Sequence, residues 1–80
     1  MKITFLTECS KNIGLGHLVR TLSIAYAYSS KGFSPDIIID GDKKLVNIVD
    51  DSFNISFFSW TQNINRLLSL IHKTDILLID

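Results

Sequence analysis

The sequence predicts an α/β fold: a parallel sheet of four strands with flanking helices and strand order 3-2-1-4. Strand and helix signals alternate along all 80 residues, which is typical of parallel sheets joined by helical crossovers. The second strand candidate contains a continuous apolar run, as expected for a strand covered on both faces. Right-handed crossovers limit the topologies, and this order places the first strand–helix loop at the switch point where ligands bind.

The first strand and helix have clear signals. Residues 3–7 are apolar and β-prone, and residues 8–15 are predicted to form a loop. A helix is predicted over residues 16–31, and Gly32 ends it because glycine adopts the left-handed conformation at little cost. The helix is expected to bury one stripe, formed by Leu15, Leu18, Val19, Leu22, Ala25 and Tyr26.

The second strand is expected after Pro35. Its apolar run covers residues 36–39, and residues 40–42, Asp-Gly-Asp, are expected to form a turn and a cap. A short helix is predicted over residues 43–49, which completes the second strand–helix unit.

The last third of the chain repeats the pattern. Residues 55–58 are predicted to form the third strand and residues 75–79 the fourth. Between them, Ser59 or Thr61 is expected to cap a third helix. Its apolar stripe is expected to contain Ile64, Leu67, Leu68 and Ile71.

The composition excludes several classes of protein. Eight basic and eight acidic residues give zero net charge, which argues against binding to nucleic acid or to an anionic membrane. No stretch approaches the ~20 apolar residues of a membrane span. Cys9 is the only cysteine, so neither an internal disulfide nor a zinc site is expected, and a reducing cytoplasm suits the chain.

The loop before the first helix contains the residues most suited to chemistry. Gly14 and Gly16 allow the backbone to approach a ligand closely, and the helix start offers free N–H groups to a phosphate. His17 lies in the first turn, where the helix dipole disfavours the imidazolium, and a neutral imidazole can act as a base. Arg20 follows one turn later on the same face.

Other interpretations of these residues remain open. Glycines in such a turn can serve packing alone, and a single histidine is often structural. A dinucleotide fingerprint would need glycine or alanine where Val19 stands, although Asp40 could imitate its ribose-binding acid. Asp40 and Asp80 both follow strands, where they would either face a ligand or cap the next element. Cys9 is expected to be a small loop residue, although a reactive thiol remains an alternative.

Residues 1–22 resemble the amino-terminal segment of the nucleotide-sugar hydrolases of pseudaminic acid biosynthesis. The same segment is similar to the SpsG family of spore-coat polysaccharide proteins, which belong with those hydrolases to the GT-B superfamily of UDP-sugar enzymes. The family pattern is matched without a gap at Ser10, Ile13, Gly14, Gly16, His17 and Arg20. The resemblance continues loosely to Asp80 and covers only an amino-terminal part of such an enzyme.

The resemblance implies a Rossmann-like amino-terminal half of a GT-B fold and a hydrolytic reaction. Water would attack the anomeric carbon of a UDP-linked diacetamido-trideoxy sugar and release UDP, with His17 as the base and without metal or cofactor. Most of the uridine site would lie in a carboxy-terminal domain outside this chain. The implied substrate-binding residues are Glu8, Ser10, Asn12, Gly14, Leu15, Gly16 and Arg20.

Two departures from the family pattern leave the sugar open. Leu6 stands where the family usually has arginine, and Glu8 where it usually has aspartate. A UDP-sugar glycosyltransferase fragment is one alternative function. A non-catalytic module that binds a dinucleotide or a sugar phosphate is another.

The end of the sequence lies inside an apolar run at residues 76–79. We therefore expect residues 1–80 to be an incomplete, truncated domain whose sheet is only partly covered. Exposed apolar strands favour association. The chain is accordingly expected to form a homodimer or to be part of a longer chain, and to lack hydrolase activity alone.

Overall fold

The computed structural model describes residues 1–9, 16–41 and 53–80, which form a four-stranded parallel sheet with a helix on each face. The strand order is β3-β2-β1-β4, so the predicted order 3-2-1-4 is confirmed. The elements in chain order are β1 (Ile3–Cys9), α1 (Gly16–Ser30), β2 (Asp36–Gly41), β3 (Asn54–Phe57), a 3-10 turn (Trp60–Gln62), α2 (Ile64–Ile71) and β4 (Ile76–Ile79).

Strand β1 is the centre of the sheet. It pairs in parallel with β2 on one side and with β4 on the other, so that Phe5 lies between Ile37 and Leu78. Residues 3–7 are all buried, because helices cover both faces of this strand. Burial on both faces suits the apolar, β-prone composition of residues 3–7.

Side chains alternate between the two faces of β1 and β2. Leu6 and Ile38 pack with Leu67 of α2 on one face, supported by the half-buried Phe58, Trp60 and Ile71. The opposite face packs against α1 and forms the larger cluster, which contains Ile3, Phe5, Cys9, Leu18, Leu22, Ala25, Ile37, Ile39 and Phe53. This separation follows from the two-residue period of a strand.

The buried stripe of α1 differs from the predicted one. Val19 and Tyr26 are about half exposed, whereas Thr21 is buried. A helix packed on a flat sheet buries only a narrow stripe, and that stripe here follows Leu18, Thr21, Leu22 and Ala25. The hydroxyl of Thr21 is compatible with burial because a carboxylate at the end of β4 accepts its hydrogen bond.

Strand β2 extends further than predicted. Asp40 and Gly41 belong to β2 rather than to a turn, since they continue the ladder beside Glu8 and Cys9. A β-carbon on Gly41 would clash with the Cys9 carbonyl oxygen, so this close approach requires glycine. The predicted helix over residues 43–49 lies outside the described residues.

Neither predicted cap holds α2. The helix begins after Asn63, whose side chain makes no capping hydrogen bond, and Ser59 instead precedes the 3-10 turn. Thr61 donates to Asp40 through both its backbone N–H and its hydroxyl. The intervening turn of 3-10 helix therefore displaces the α-helical start beyond both predicted residues.

One flank of α2 and the outer strand form an exposed apolar strip. Successive residues of a helix are rotated by about 100° about its axis, so neighbouring side chains face different directions. Leu67 faces the sheet, and Leu70 points toward β2 and β3, where it lines a cleft with Ile38 and Ser56. The opposite flank faces β4. The strip consists of Ile64 and Leu68 on that flank, with Leu77 and Ile79 of β4 on the same face of the sheet.

The two β4 residues of this strip differ in exposure. Ile79 is 65% exposed and Leu77 is 37% exposed. Ile64 and Leu68, two members of the predicted apolar stripe, are 50% and 55% exposed, because no described element covers this flank. Among residues 1–9, 16–41 and 53–80, none of the helices has the length and apolarity needed to cross a membrane.

Helix α1 ends in the motif that Gly32 predicts. Gly32 has φ +92°, and its N–H donates to the Ser29 carbonyl while that of Phe33 donates to the Tyr28 carbonyl. These two bonds form a Schellman motif, and the rings of Phe33 and Tyr28 meet edge to face at 5.9 Å. The turn redirects the chain into β2.

We expect Gly32→Ala to lower the free energy of unfolding by about 1 kcal/mol, because alanine is strained in the left-handed conformation. Gly16→Ala is the matched control, since a β-carbon at Gly16 meets nothing within 4 Å and its φ is not positive. Urea unfolding followed by circular dichroism measures both. Equal destabilisation by the two substitutions would contradict the role of Gly32.

Candidate functional site

The candidate site lies at the switch point of the sheet. Strands β2 and β3 lie on one side of β1 and β4 on the other, so the crossovers diverge between β1 and β4. Helix α1 begins near the carboxyl end of β1, and Asp80 directly follows β4 at the same edge. Ligands bind at this place in open α/β sheets.

Asp80 is the centre of the cluster. Its backbone N–H donates to the Leu6 carbonyl at 2.9 Å, which continues the ladder between β4 and β1 and fixes the position of its side chain. Arg20 donates two hydrogen bonds to the carboxylate: Nε lies 2.9 Å from Oδ2 and Nη2 lies 2.5 Å from Oδ1. The hydroxyl of Thr21 adds a longer bond of 3.4 Å to Oδ2.

His17 joins this cluster from the first turn of α1. Its Nδ1 lies 3.1 Å from Oδ1 of Asp80 and 3.0 Å from Nη2 of Arg20. Within the described residues, no hydrogen bond is formed with Nε2 of His17. The imidazole is half-buried and is therefore both held by neighbours and reachable from solvent.

The charges of the cluster stabilise one another. The hydrogen bond from Arg20, followed by that from His17, lowers the pKa of Asp80 to about 2. The bond to Asp80 likewise raises the pKa of Arg20. The carboxylate therefore stays ionised at any physiological pH and provides a fixed negative charge beside the imidazole.

A groove of about 270 Å³ opens beside the cluster between α1 and β4. Its walls are mostly apolar, and its polar end is formed by Arg20, Thr21 and Asp80. The remaining lining residues are Phe5, Ile24, Tyr28, Leu78 and Ile79. The arrangement combines an apolar wall with a few convergent polar groups, as small-molecule sites do.

The structure brings together only some of the residues predicted for the site. Gly16, His17 and Arg20 all lie on the first turn or two of α1, on the edge where β1 and β4 end. Glu8 ends up on the α2 face, because it shares the side of β1 on which Leu6 lies. The other predicted substrate-binding residues, Ser10, Asn12, Gly14 and Leu15, lie outside the described residues.

Two open assignments receive structural roles. Asp40 accepts hydrogen bonds from Thr61 and so holds the 3-10 turn against the end of β2. Cys9 is fully buried in the α1-side cluster at the end of β1, not in a loop. A thiol without solvent access has the environment of a structural cysteine rather than a reactive one.

Sequence reasoning left the role of Asp80 open and did not consider Thr21. The available signal for Asp80 was its place directly after a strand, at the edge where the helix with His17 begins. For Thr21, the signal was a hydroxyl residue one position after Arg20, inside an otherwise apolar stripe. The pairing across 60 residues becomes visible only once β4 is placed beside β1.

Comparisons of the chain with protein-family models, curated proteins and solved structures found no match. The proposed function therefore depends on the residues of the cluster and on the sequence pattern before α1.

The lowered pKa of Asp80 predicts an acid dependence of stability. An unfolded aspartate titrates near pH 4 and the folded one near pH 2, so the folded state binds fewer protons between these values. The stabilisation by Asp80 is complete above about pH 4 and is lost as the pH falls toward 2.

Thermal unfolding of the wild type and of Asp80→Asn between pH 6 and pH 2 measures this contribution. The two melting temperatures are expected to differ most at the upper end and to converge in acid. Asp36→Asn, which removes a carboxylate paired with Lys2 on another part of the sheet, is the control. A constant difference between wild type and Asp80→Asn would refute the assigned titration.

Proposed function

We propose that this chain is the amino-terminal part of a nucleotide-sugar hydrolase that releases UDP from a UDP-linked diacetamido-trideoxy sugar in surface polysaccharide biosynthesis. The single observation that supports this most is the placement of His17 at the switch point, beside Arg20 and Asp80. A histidine held there by a carboxylate has the geometry of a general base.

The proposed roles follow from the cluster and the loop. His17 would accept a proton from the water that attacks the anomeric carbon. The N–H groups at the start of α1, with that of Gly16 among them, would face the diphosphate. Arg20 would keep the carboxylate in place and extend a positive charge toward the phosphates, since its side chain is 58% exposed.

A UDP-sugar glycosyltransferase uses the same elements. Its acceptor would be a sugar hydroxyl instead of water, and the same base would activate it.

A non-catalytic module is the second alternative, and a dinucleotide-binding half is one form of such a module. In the dinucleotide fingerprint an acid after the second strand binds the ribose, but Asp40 is engaged by Thr61. That observation favours the nucleotide sugar over the dinucleotide.

We also propose a cytoplasmic location, where UDP-sugars are made and used.

Nucleotide binding to the 80-residue chain distinguishes these functions. Titration with UDP, UDP-GlcNAc and NAD is followed by ¹H–¹⁵N spectra, in which the amides at the start of α1 report on the site. Because most of the uridine site would lie outside this chain, we expect the uridine nucleotides to shift these amides through their diphosphate and sugar, with UDP-GlcNAc acting at lower concentration than NAD. Stronger binding of NAD would favour the dinucleotide module, and no shift with any nucleotide would contradict the proposal.

Arg20→Gln tests whether the cluster takes part in this binding. Loss of a charge-assisted contact is expected to weaken UDP binding about tenfold. Lys31→Gln, one residue beyond the opposite end of α1, removes the same charge away from the site and is expected to leave binding unchanged. Equal effects of the two substitutions would indicate general electrostatics rather than a site.

Self-association is proposed from the exposed strip of Ile64, Leu68, Leu77 and Ile79. In β4, the N–H groups of Ile76 and Asp80 bond to β1, so those of Leu77 and Ile79 point away from it along the open edge. These two residues therefore present both apolar side chains and backbone groups that no described strand pairs with. An edge of this kind recruits another strand, which a second copy would supply.

Light scattering at increasing concentration is expected to show a dimer, and Ile79→Lys is expected to shift the chain toward monomer. Val19→Lys is the matched control, because Val19 is also exposed but lies on α1. A wild type that stays monomeric at 9.0 kDa at high concentration would defeat this proposal.

A further inference from the structure

We propose that Asp80 is a positioning residue that holds His17 in the tautomer with the proton on Nδ1, which leaves Nε2 as the proton acceptor. This inference deepens the proposed function and rests on it for its catalytic meaning. The tautomer itself is a property of the chain without substrate. It follows from the geometry of three side chains: His17, Arg20 and Asp80.

The two contacts of His17 Nδ1 require opposite protonation of the same atom. Asp80 Oδ1 at 3.1 Å can only accept, so that bond needs a proton on Nδ1. Arg20 Nη2 at 3.0 Å can only donate, so that bond needs a lone pair on Nδ1. A neutral imidazole satisfies one of these contacts and not the other.

Of the two partners of His17 Nδ1, the Asp80 carboxylate depends more on this hydrogen bond than the Arg20 guanidinium does. The Asp80 side chain is 25% exposed, and each of its oxygens can accept two hydrogen bonds. Arg20 already donates Nε and Nη2 to this carboxylate, and its 58% exposed side chain leaves the remaining N–H groups to water. With the proton on Nδ1, both His17 and Arg20 donate to the carboxylate.

The other tautomer has a clear electrostatic cost. The Nδ1 lone pair would then face the Oδ1 lone pairs of an ionised carboxylate at 3.1 Å, where two acceptors repel. The gain would be one bond from a guanidinium group that water can satisfy equally. A charge-assisted bond from Nδ1–H to the carboxylate is therefore the favoured arrangement.

The consequence concerns the second ring nitrogen. With the proton on Nδ1, the Nε2 lone pair is available to take a proton from water. Asp80 would in this way determine both the orientation of the ring and which nitrogen reacts, without touching the substrate. Carboxylates act on the histidines of other hydrolytic sites in the same manner.

Long-range ¹H–¹⁵N spectra of the 80-residue chain test the assignment, at a pH where the imidazoles are neutral. Wild-type His17 is expected to show a protonated Nδ1 and an unprotonated Nε2. His72 is an internal control in the same spectrum. Its Nδ1 lies 2.8 Å from the Ser69 carbonyl oxygen, which only accepts, so its Nδ1 must also carry the proton.

Asp80→Asn is expected to reverse the tautomer of His17 and leave that of His72 unchanged. The amide oxygen can accept from Arg20, but the amide nitrogen would then donate to Nδ1 and move the proton to Nε2. Asp36→Asn is expected to leave both histidines unchanged, because its carboxylate pairs with Lys2.

Either of two results would overturn the inference: a wild-type His17 with its proton on Nε2, or an Asp80→Asn variant whose tautomer matches the wild type. The wild-type spectrum decides even if the variant fails to fold. The expected tautomer together with no binding of UDP would refute the proposed function while the positioning role stands.

Discussion

The burial of β1 between two parallel neighbours is the constraint on which the rest of the structure depends. Residues 3–7 are at most 2% exposed because β2 and β4 pair on either side and helices cover both faces. Parallel neighbours cannot be joined by tight turns, so each connection has to cross a face of the sheet. The positions of α1 and α2 follow from that requirement.

The cluster at the sheet edge is a product of the same constraint. The crossover from β1 to β2 brings the start of α1 to the carboxyl end of β1. The crossover that returns over the other face brings β4 to the free side of β1, and Asp80 arrives at the same edge. His17 and Asp80 therefore meet because β1 lies between them, although 63 residues separate them in the chain.

The fold could be predicted from the sequence to the level of strand order, because apolar runs, Gly32 and crossover handedness are local or general properties. The start of α2 could not, since Trp60 packs against the sheet and sends its indole N–H to the Thr7 carbonyl, which favours a 3-10 turn first. The exposure of Leu68 was likewise hidden, because helical periodicity identifies an apolar face without showing whether anything covers it.

For the candidate site, the sequence indicated His17 and Arg20 but not the partner that organises them. The loop pattern predicts where a helix start meets a ligand, since glycine and histidine act through the local backbone. The function of Asp80 depends on a contact between distant parts of the chain. A residue of that kind is recognisable only through its place at the end of a strand.

The bonds from Asp80 also connect the integrity of the site to the least protected strand. β4 is short, lies at the sheet edge and pairs with β1 alone within the described sheet. Local openings of a protein start at such elements and need less free energy than global unfolding. If β4 detaches, α1 keeps its packing on β1 and β2, but His17 and Arg20 lose their carboxylate. Such an opening would leave the core packed and the site disassembled, and any ligand or partner that holds β4 in place would also keep the histidine in position.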